Sequence, residues 1–283
     1  MIFAVRADPV MFLRSWWRRA LPGRGVSRTG QAVALLRAEF DRPCSPEGDP
    51  DAQARLCAGM RPATVNRLRP QIAARTRFFD EQVLAAISRG VRQVVVCGAG
   101  YDDRALRFRA DGVRFFELDH PVTQADKARR LRRARLHTAG LTLAAADFRV
   151  DDAPAVLAAS GQDADRATLF LCEGLLVYLD EAAIVALLAG LATRAAPGST
   201  LAASLAVHRA GADSLAVTAA ANARRPSGRR EPWRTILPAD SHLALLGRAG
   251  WHVERAIDAA DLVPDAPAGR SLLVTAVRRA SPA

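Results

Sequence analysis

The stretch RQVVVCGAG, residues 92–100, restricts the fold more than any other in the chain. Its apolar residues run without polar alternation, so the strand it predicts is buried on both faces, as in a parallel sheet covered by helices on either side. Gly98, Ala99 and Gly100 then make a tight turn in which backbone can approach a ligand closely. A strand of this kind needs neighbours, and the chain supplies them. Further strands are predicted over 113–119, 141–147, 167–174, 199–208, 251–257 and 271–279, and helices over 71–89, 121–135, 151–160, 180–196 and 238–250. Pro121 opens its helix at the first turn, where proline is tolerated, and Asp180 caps the next but one. The expected fold is α/β, a doubly wound, seven-stranded, mostly parallel sheet.

Two regions stand outside this alternation. Residues 1–70 hold no clear strand; they read as an N-terminal helical cap to the α/β domain over 71–283, with a helix from Gly30 and a turn-rich linker from Cys44. Residues 209–237 are polar and Arg-rich and read as an inserted lid. The apolar pieces of residues 1–25 are interrupted by Arg6, Asp8 and Arg14, which suits a leader or surface helix and not a signal peptide. No apolar run reaches the roughly 20 residues of a membrane span. A cytoplasmic protein is the expectation.

The formal net charge is +11 over 283 residues. Lys127 is nevertheless the sole lysine, and the arginines are scattered among abundant alanine, the mark of a compositional bias and not of a nucleic-acid surface. Aromatic residues do not alternate with the arginines as a stacking platform requires. Neither nucleic acid nor membrane is an expected partner. Cys44, Cys57, Cys97 and Cys172 form no CxxC pair, so no metal site is predicted.

Ligands of doubly wound sheets bind beyond the carboxyl ends of the strands. That rule singles out Gly98, Ala99 and Gly100, Asp119 and His120, Asp147 and Phe148, Glu173, and His208. Asp119 lies at the end of the second strand, where a carboxylate accepts both hydroxyls of a ribose in NAD and S-adenosylmethionine enzymes alike. Position 103 separates the two. A dinucleotide fingerprint places glycine there, whereas this chain has Asp102 and Asp103, which repel a pyrophosphate unless neutralised. S-adenosyl-L-methionine, with its sulfonium and ammonium, suits acidic surroundings. Asp147 and Phe148 suit an adenine, the carboxylate accepting the amino group and the ring stacking. Glu173 at the end of an apolar strand calls for a cationic counterpart.

The pieces ARTRFFD (74–80), VVVCGAGYDDRALRF (94–108), FFELDHP (115–121), AADFR (145–149) and LCEGLLVYL (171–179) occur in that order within the stretch 71–200, about 130 residues. With EPWRTIL and AGW further on, this set resembles the leucine carboxyl methyltransferase family of class I S-adenosylmethionine-dependent methyltransferases, whose bacterial branch includes polyketide O-methyltransferases. The resemblance implies that Arg75 holds the methionine carboxylate, with Arg77 its rival in the same motif. It implies Gly98 and Gly100 under the methionine and ribose, Asp119 on the ribose, Asp147 and Phe148 at adenine, and Glu173 near the methionine amino group. The family's N-terminal basic contact has no identifiable counterpart in residues 1–70.

The expected reaction is methyl transfer to a carboxyl or hydroxyl oxygen of a small molecule of secondary metabolism. A protein C-terminal carboxylate and an NAD-linked oxidation are the alternatives. A carboxylate acceptor is ionised at neutral pH and needs no base, whereas a hydroxyl usually needs one. His208 and Tyr178 are the candidates for that role, and His120 packs beside the cofactor.

Overall fold

The computed structural model describes residues 26–61, 68–224, 231–263, 265–267 and 269–278. Seven strands form one sheet: β1 (Gln93–Cys97), β2 (Arg114–Asp119), β3 (Leu141–Ala145), β4 (Thr168–Cys172), β5 (Thr200–Ala206), β6 (Trp251–Asp258) and β7 (Ser271–Arg278). Their spatial order is β3-β2-β1-β4-β5-β7-β6. The first five are mutually parallel, and β7 runs antiparallel to both β5 and β6. The expected doubly wound, mostly parallel sheet is what the chain forms. β1 and β4 are buried at every position, as their unbroken apolar runs require.

Helices α1 (Arg28–Arg37), α2 (Ala52–Cys57) and α3 (Arg69–Ser88) precede β1. After them come α4 (Arg104–Arg107), α5 (Pro121–Arg133), α6 (Ala153–Ala159), α7 (Glu181–Thr193), α8 (Ser214–Ala223) and α9 (Ala239–Arg248). One face of the sheet buries Phe116, Phe170 and Leu201 against Leu157 of α6, Leu188 and Leu191 of α7 and Leu246 of α9. Trp251 closes that core, its indole N–H bonded to the Leu188 carbonyl at 2.8 Å and its ring edge-on to Phe170. The other face buries Val94, Val96, Phe115 and Leu171 under Phe78, Phe79 and Val83 of α3. Ile72, Phe79, Val83 and Ala86, the stripe that predicts α3, are all buried.

A third apolar cluster joins the N-terminal helices to this body. Ala34 of α1 and Leu56 and Cys57 of α2 meet Tyr101, Leu106 and Leu131. The cap therefore sits on the segment that follows the glycine turn. The helix after the turn, α4, is a single turn of four residues and offers little dipole to a phosphate. The lid region contains α8, capped by Asp213 and with none of its residues buried. Residues 1–25, and Arg225, Arg229 and Arg230 of the lid, lie outside the described residues.

Of the basic residues of α5, Arg132 and Arg133 are exposed, whereas three others are engaged. Lys127 is fully buried, and Arg129 and Arg130 both pair with Asp126 of the same helix. Cys97 and Cys172 are buried free thiols on neighbouring strands. Among the described residues there is no metal-binding cluster and no helix long and apolar enough to cross a membrane.

Candidate active site

The parallel strands end on one edge, and the predicted residues gather there. Gly98 and Gly100 adopt positive φ, 68° and 54°, so the turn after β1 needs residues that tolerate the left-handed region. A Cβ at position 98 stands 3.0 Å from the Leu175 side chain, so the turn and the β4 exit touch without room for another methyl. Asp119, at the end of β2, accepts from the Gly100 amide at 2.5 Å and the His120 amide at 2.6 Å, one bond to each oxygen. Each carboxylate oxygen keeps a lone pair for a further donor. Burial pushes the Asp119 carboxyl up, against the pull of those two amides.

Beside Asp119, His120 caps α5, its Nδ1 accepting from the Val122 amide at 3.3 Å. Its Nε2 lies 3.9 Å from Asp147 Oδ2. Asp147 is bonded to Arg149 through the amide, Nε and Nη2, and these bonds hold its carboxyl below the ordinary range. Phe148 packs at the edge of the sheet core and lines a cavity of about 170 Å³ between α6 and α7, with Pro154, Leu187 and Gly190.

Glu173 is the centre of the site's electrostatics. Its side chain is 4% exposed. Oε1 takes Arg75 Nε at 2.9 Å and Arg37 Nη2, and Oε2 takes Arg104 Nη1 at 2.7 Å. Burial alone raises such a carboxyl; the guanidiniums of Arg37, Arg104 and Arg75 outweigh it and hold Glu173 well below the ordinary range. The same network continues inward. Arg37 and Arg104 pair with Asp102, Arg42 and Arg107 with Asp103, and Arg42, Arg104 and Arg107 with Asp80. Five guanidiniums face four carboxylates, which leaves one net positive charge.

This network corrects the reading of Asp102 and Asp103. Both are buried and neutralised, and Asp103 makes no capping bond to α4. They do not stand exposed at a helix end to repel a phosphate. Arg37 and Arg42 escape a reading by pattern because their partners are distant in sequence; Arg104 and Arg107 have a local partner each, in Asp102 and Asp103, but reach Asp80 across the fold. One signal is present in the sequence: Asp80 interrupts the buried stripe of α3 between Phe79 and Val83, and a buried carboxylate demands a cation.

Arg75 is separated from its rival. Arg77 points outward, 64% exposed, and pairs with Glu81 on the same helix. Arg75 points to the strand ends and is 20% exposed. Its Nη1 lies over Gly174, where a Cβ stands only 3.0 Å away. Among the described residues no group takes its two terminal nitrogens. Arg37, from α1, supplies a basic group from the N-terminal region at this same point, where the sequence offers no motif to place one.

His208 follows β5, with Nδ1 2.7 Å from the Arg209 carbonyl and Nε2 2.8 Å from Ser214 Oγ at the start of α8. The carbonyl is an acceptor only, so Nδ1 carries the proton and Nε2 accepts from the serine in the neutral ring. Tyr178 lies in a short 3-10 turn, Leu176–Tyr178, after β4. The returning limb of the lid is fastened there. The Arg234 and Thr235 amides donate to the Val177 carbonyl, and Thr235 Oγ1 donates to the Leu179 carbonyl at 2.6 Å. The Asn222 side chain joins α8 to the Trp233 backbone through two bonds of 2.8 Å.

The set fits S-adenosylmethionine. A turn closed to side chains, a carboxylate with spare acceptor capacity at the second strand, and a partly exposed guanidinium, Arg75, that brings the one surplus positive charge of its network match a nucleoside joined to an amino acid. Fold and site together define a class I S-adenosylmethionine-dependent methyltransferase. Comparison with known proteins agrees. The profile of the leucine carboxyl methyltransferase family matches residues 10–192, and the chain belongs to that family. A provisionally assigned S-adenosyl-L-methionine-dependent methyltransferase of Streptomyces coelicolor is 36% identical over 281 residues, spanning 90% of this chain and 96% of the relative. Among solved structures, a provisionally assigned methyltransferase from Thermobifida fusca has a TM-score of 0.60 at 15% identity, covering 94% of this chain and 99% of its own. The magnesium protoporphyrin IX methyltransferase of Synechocystis, solved with S-adenosylhomocysteine, has a TM-score of 0.52 at 15% identity, covering 81% and 93%. At those identities the structures speak for the fold, and the family assignment removes the NAD-linked alternative.

Proposed function

We propose that the enzyme transfers the methyl group of S-adenosylmethionine to an oxygen of a small molecule, with a carboxylate as the preferred acceptor. The observation that carries this reading is the engagement of the two histidines at the strand ends. His208 is bonded through both ring nitrogens, and His120 Nδ1 is spent on the α5 cap. Neither is a free base, and a carboxylate needs none. The family's name points the same way.

When bound, the cofactor supplies an electrophilic methyl group on a sulfonium. The chain's own residues supply position and exclusion of water. In this reading Arg75 receives the methionine carboxylate on its terminal nitrogens, while Glu173 fixes the guanidinium from behind. Glu173 then acts mainly through Arg75 and Arg37 rather than as an open acceptor for the amino group. Asp119 receives the ribose hydroxyls, and Asp147 and Phe148 flank the adenine. The described parts of the insertion, 209–224 and 231–237, lie on the acceptor side, with the 231–237 limb fastened next to Tyr178.

A panel of carboxylic acids, phenols and alcohols, incubated with methyl-labelled cofactor, tests the reading. Label in base-labile methyl esters is the expected result. Base-stable ethers move the acceptor to a hydroxyl and restore His208, relayed through Ser214, as the base. Label that appears only on a peptide C-terminus favours the protein carboxylate.

A further inference from the structure

Lys127 is the sole lysine among 40 basic residues. It lies in α5 with its side chain completely buried. Its Nζ is ion-paired with Glu117 Oε2 and donates to the Asp102 carbonyl at 2.6 Å. Glu117 belongs to β2, two residues before Asp119, so both carboxylates project from the same face of the strand. Glu117 is also completely buried, and its Oε1 has no partner among the described residues. Gln124 fixes α5 to β2 and β3 from one turn earlier, donating to the carbonyls of Glu117 and Ala144.

The glycine turn is therefore gripped from β2 at two points. Asp119 holds its middle through the Gly100 amide, and Glu117 holds its end through Lys127 and the Asp102 carbonyl. A compact ammonium reaches both acceptors in a closed space, whereas a planar guanidinium is larger and needs a flat slot. In a chain that uses arginine everywhere else, the one lysine sits in this closed space, on Glu117 and the Asp102 carbonyl. The charged groups facing Glu117 are Lys127, Asp102 and Asp119, and burial pushes its carboxyl up to about 7.

We propose that Lys127, held by Glu117, is a positioning residue that locks the backbone of the 98–102 turn and so sets cofactor affinity without touching the cofactor. The proposal rests on the reading of this turn as the cofactor site. It goes beyond that reading by assigning a role to a pair that none of the site chemistry uses.

The test is isothermal titration with S-adenosylhomocysteine, well below the melting temperature of each protein. Lys127→Met should weaken binding at least tenfold. Leu191→Ala, a core variant remote from the turn, lowers thermal stability and should leave Kd unchanged. Lys127→Arg should not rescue. Where Lys127→Met fails to fold, the Glu117→Gln/Lys127→Met double variant removes both buried charges and carries the same expectation. Folded Lys127 variants with wild-type affinity overturn the proposal, as does a loss matched by Leu191→Ala. A wild-type enzyme that does not bind S-adenosylhomocysteine instead overturns the reading of the turn itself.

Discussion

At the scale of single residues, Asp119, Arg75 and Glu173 carry different burdens, and mutation should separate them. Asp119 is buried and accepts two backbone amides, one of them from the turn it faces. Asp119→Ala should weaken S-adenosylhomocysteine binding at least tenfold, a loss of about 1.4 kcal/mol, by isothermal titration; unchanged affinity removes Asp119 from the site. Arg75 is the most exposed of the guanidiniums on Glu173. Arg75→Met should cut cofactor affinity with little change in the urea midpoint. Glu173→Gln should do the reverse of sparing the fold. It strands three guanidiniums around a neutral amide, and breaking a buried pair from one side costs about 3–5 kcal/mol. A Glu173→Gln protein with a wild-type urea midpoint contradicts the network as described.

Much of this was legible in the sequence, and the missing part has a physical cause. Residues that end strands are marked by the pattern itself: the apolar run stops and a polar residue follows. Gly98, Asp119, Asp147 and Glu173 all announce themselves in this way. Arg37, Arg42 and Arg104 do not, because an ion pair between residues 37 and 173 leaves no periodicity in either segment. The scattered arginines read as compositional bias; the five in the network are instead held by Asp80, Asp102, Asp103 and Glu173.

At the scale of elements, the strands and the long helices follow their periodicity closely, and the departures lie where tertiary contacts decide. At the start of the single-turn α4, Asp103 goes into ion pairs with Arg42 and Arg107 rather than into capping, and Asp102 pairs with Arg37 and Arg104 while also accepting from the Arg104 amide at 2.7 Å. α8 is apolar yet unburied, and a pattern search for a buried strand or core helix finds nothing there. The pairing of α6 with α7 offers a test away from the site. A Cβ on Gly190 stands 2.7 Å from Pro154 Cγ, so the two helices meet through a glycine. Gly190→Leu should cost about 1–3 kcal/mol by overpacking, read from thermal or urea unfolding, while S-adenosylhomocysteine affinity stays at the wild-type value. Loss of affinity in that variant links the cavity lined by Phe148 to the cofactor.

For the whole molecule, the buried charges predict how stability depends on pH. Burial raises the carboxyls of Asp80, Asp103 and Glu173, but the surrounding guanidiniums hold all three below their ordinary values. Groups with depressed folded-state values add stability that is present above the unfolded value and lost as pH falls through the folded one. Stability should therefore drop below about pH 4. Glu117 has the opposite sign. Its folded value is raised from 4.5 to about 7. Between those values the native state keeps a proton that the unfolded chain has released, so stability declines as pH rises through that window and is level above it. Asp119, raised by burial, adds to the decline at its acidic end. His242, lowered by burial, contributes a rise with pH in the same region, and it does so in every variant. Comparison isolates Glu117: the Glu117→Gln/Lys127→Met double variant should lose the part of the decline that reaches about pH 7 and keep the acid limb in urea midpoints measured across pH. Parallel profiles for the two proteins refute the assignment.

The most direct test of the account is isothermal titration of the wild-type protein with S-adenosylhomocysteine, with NADH run under the same conditions. The account predicts micromolar binding of S-adenosylhomocysteine and no heat from NADH. Binding of NADH with silence from S-adenosylhomocysteine contradicts it, and returns the turn after β1 to a pyrophosphate.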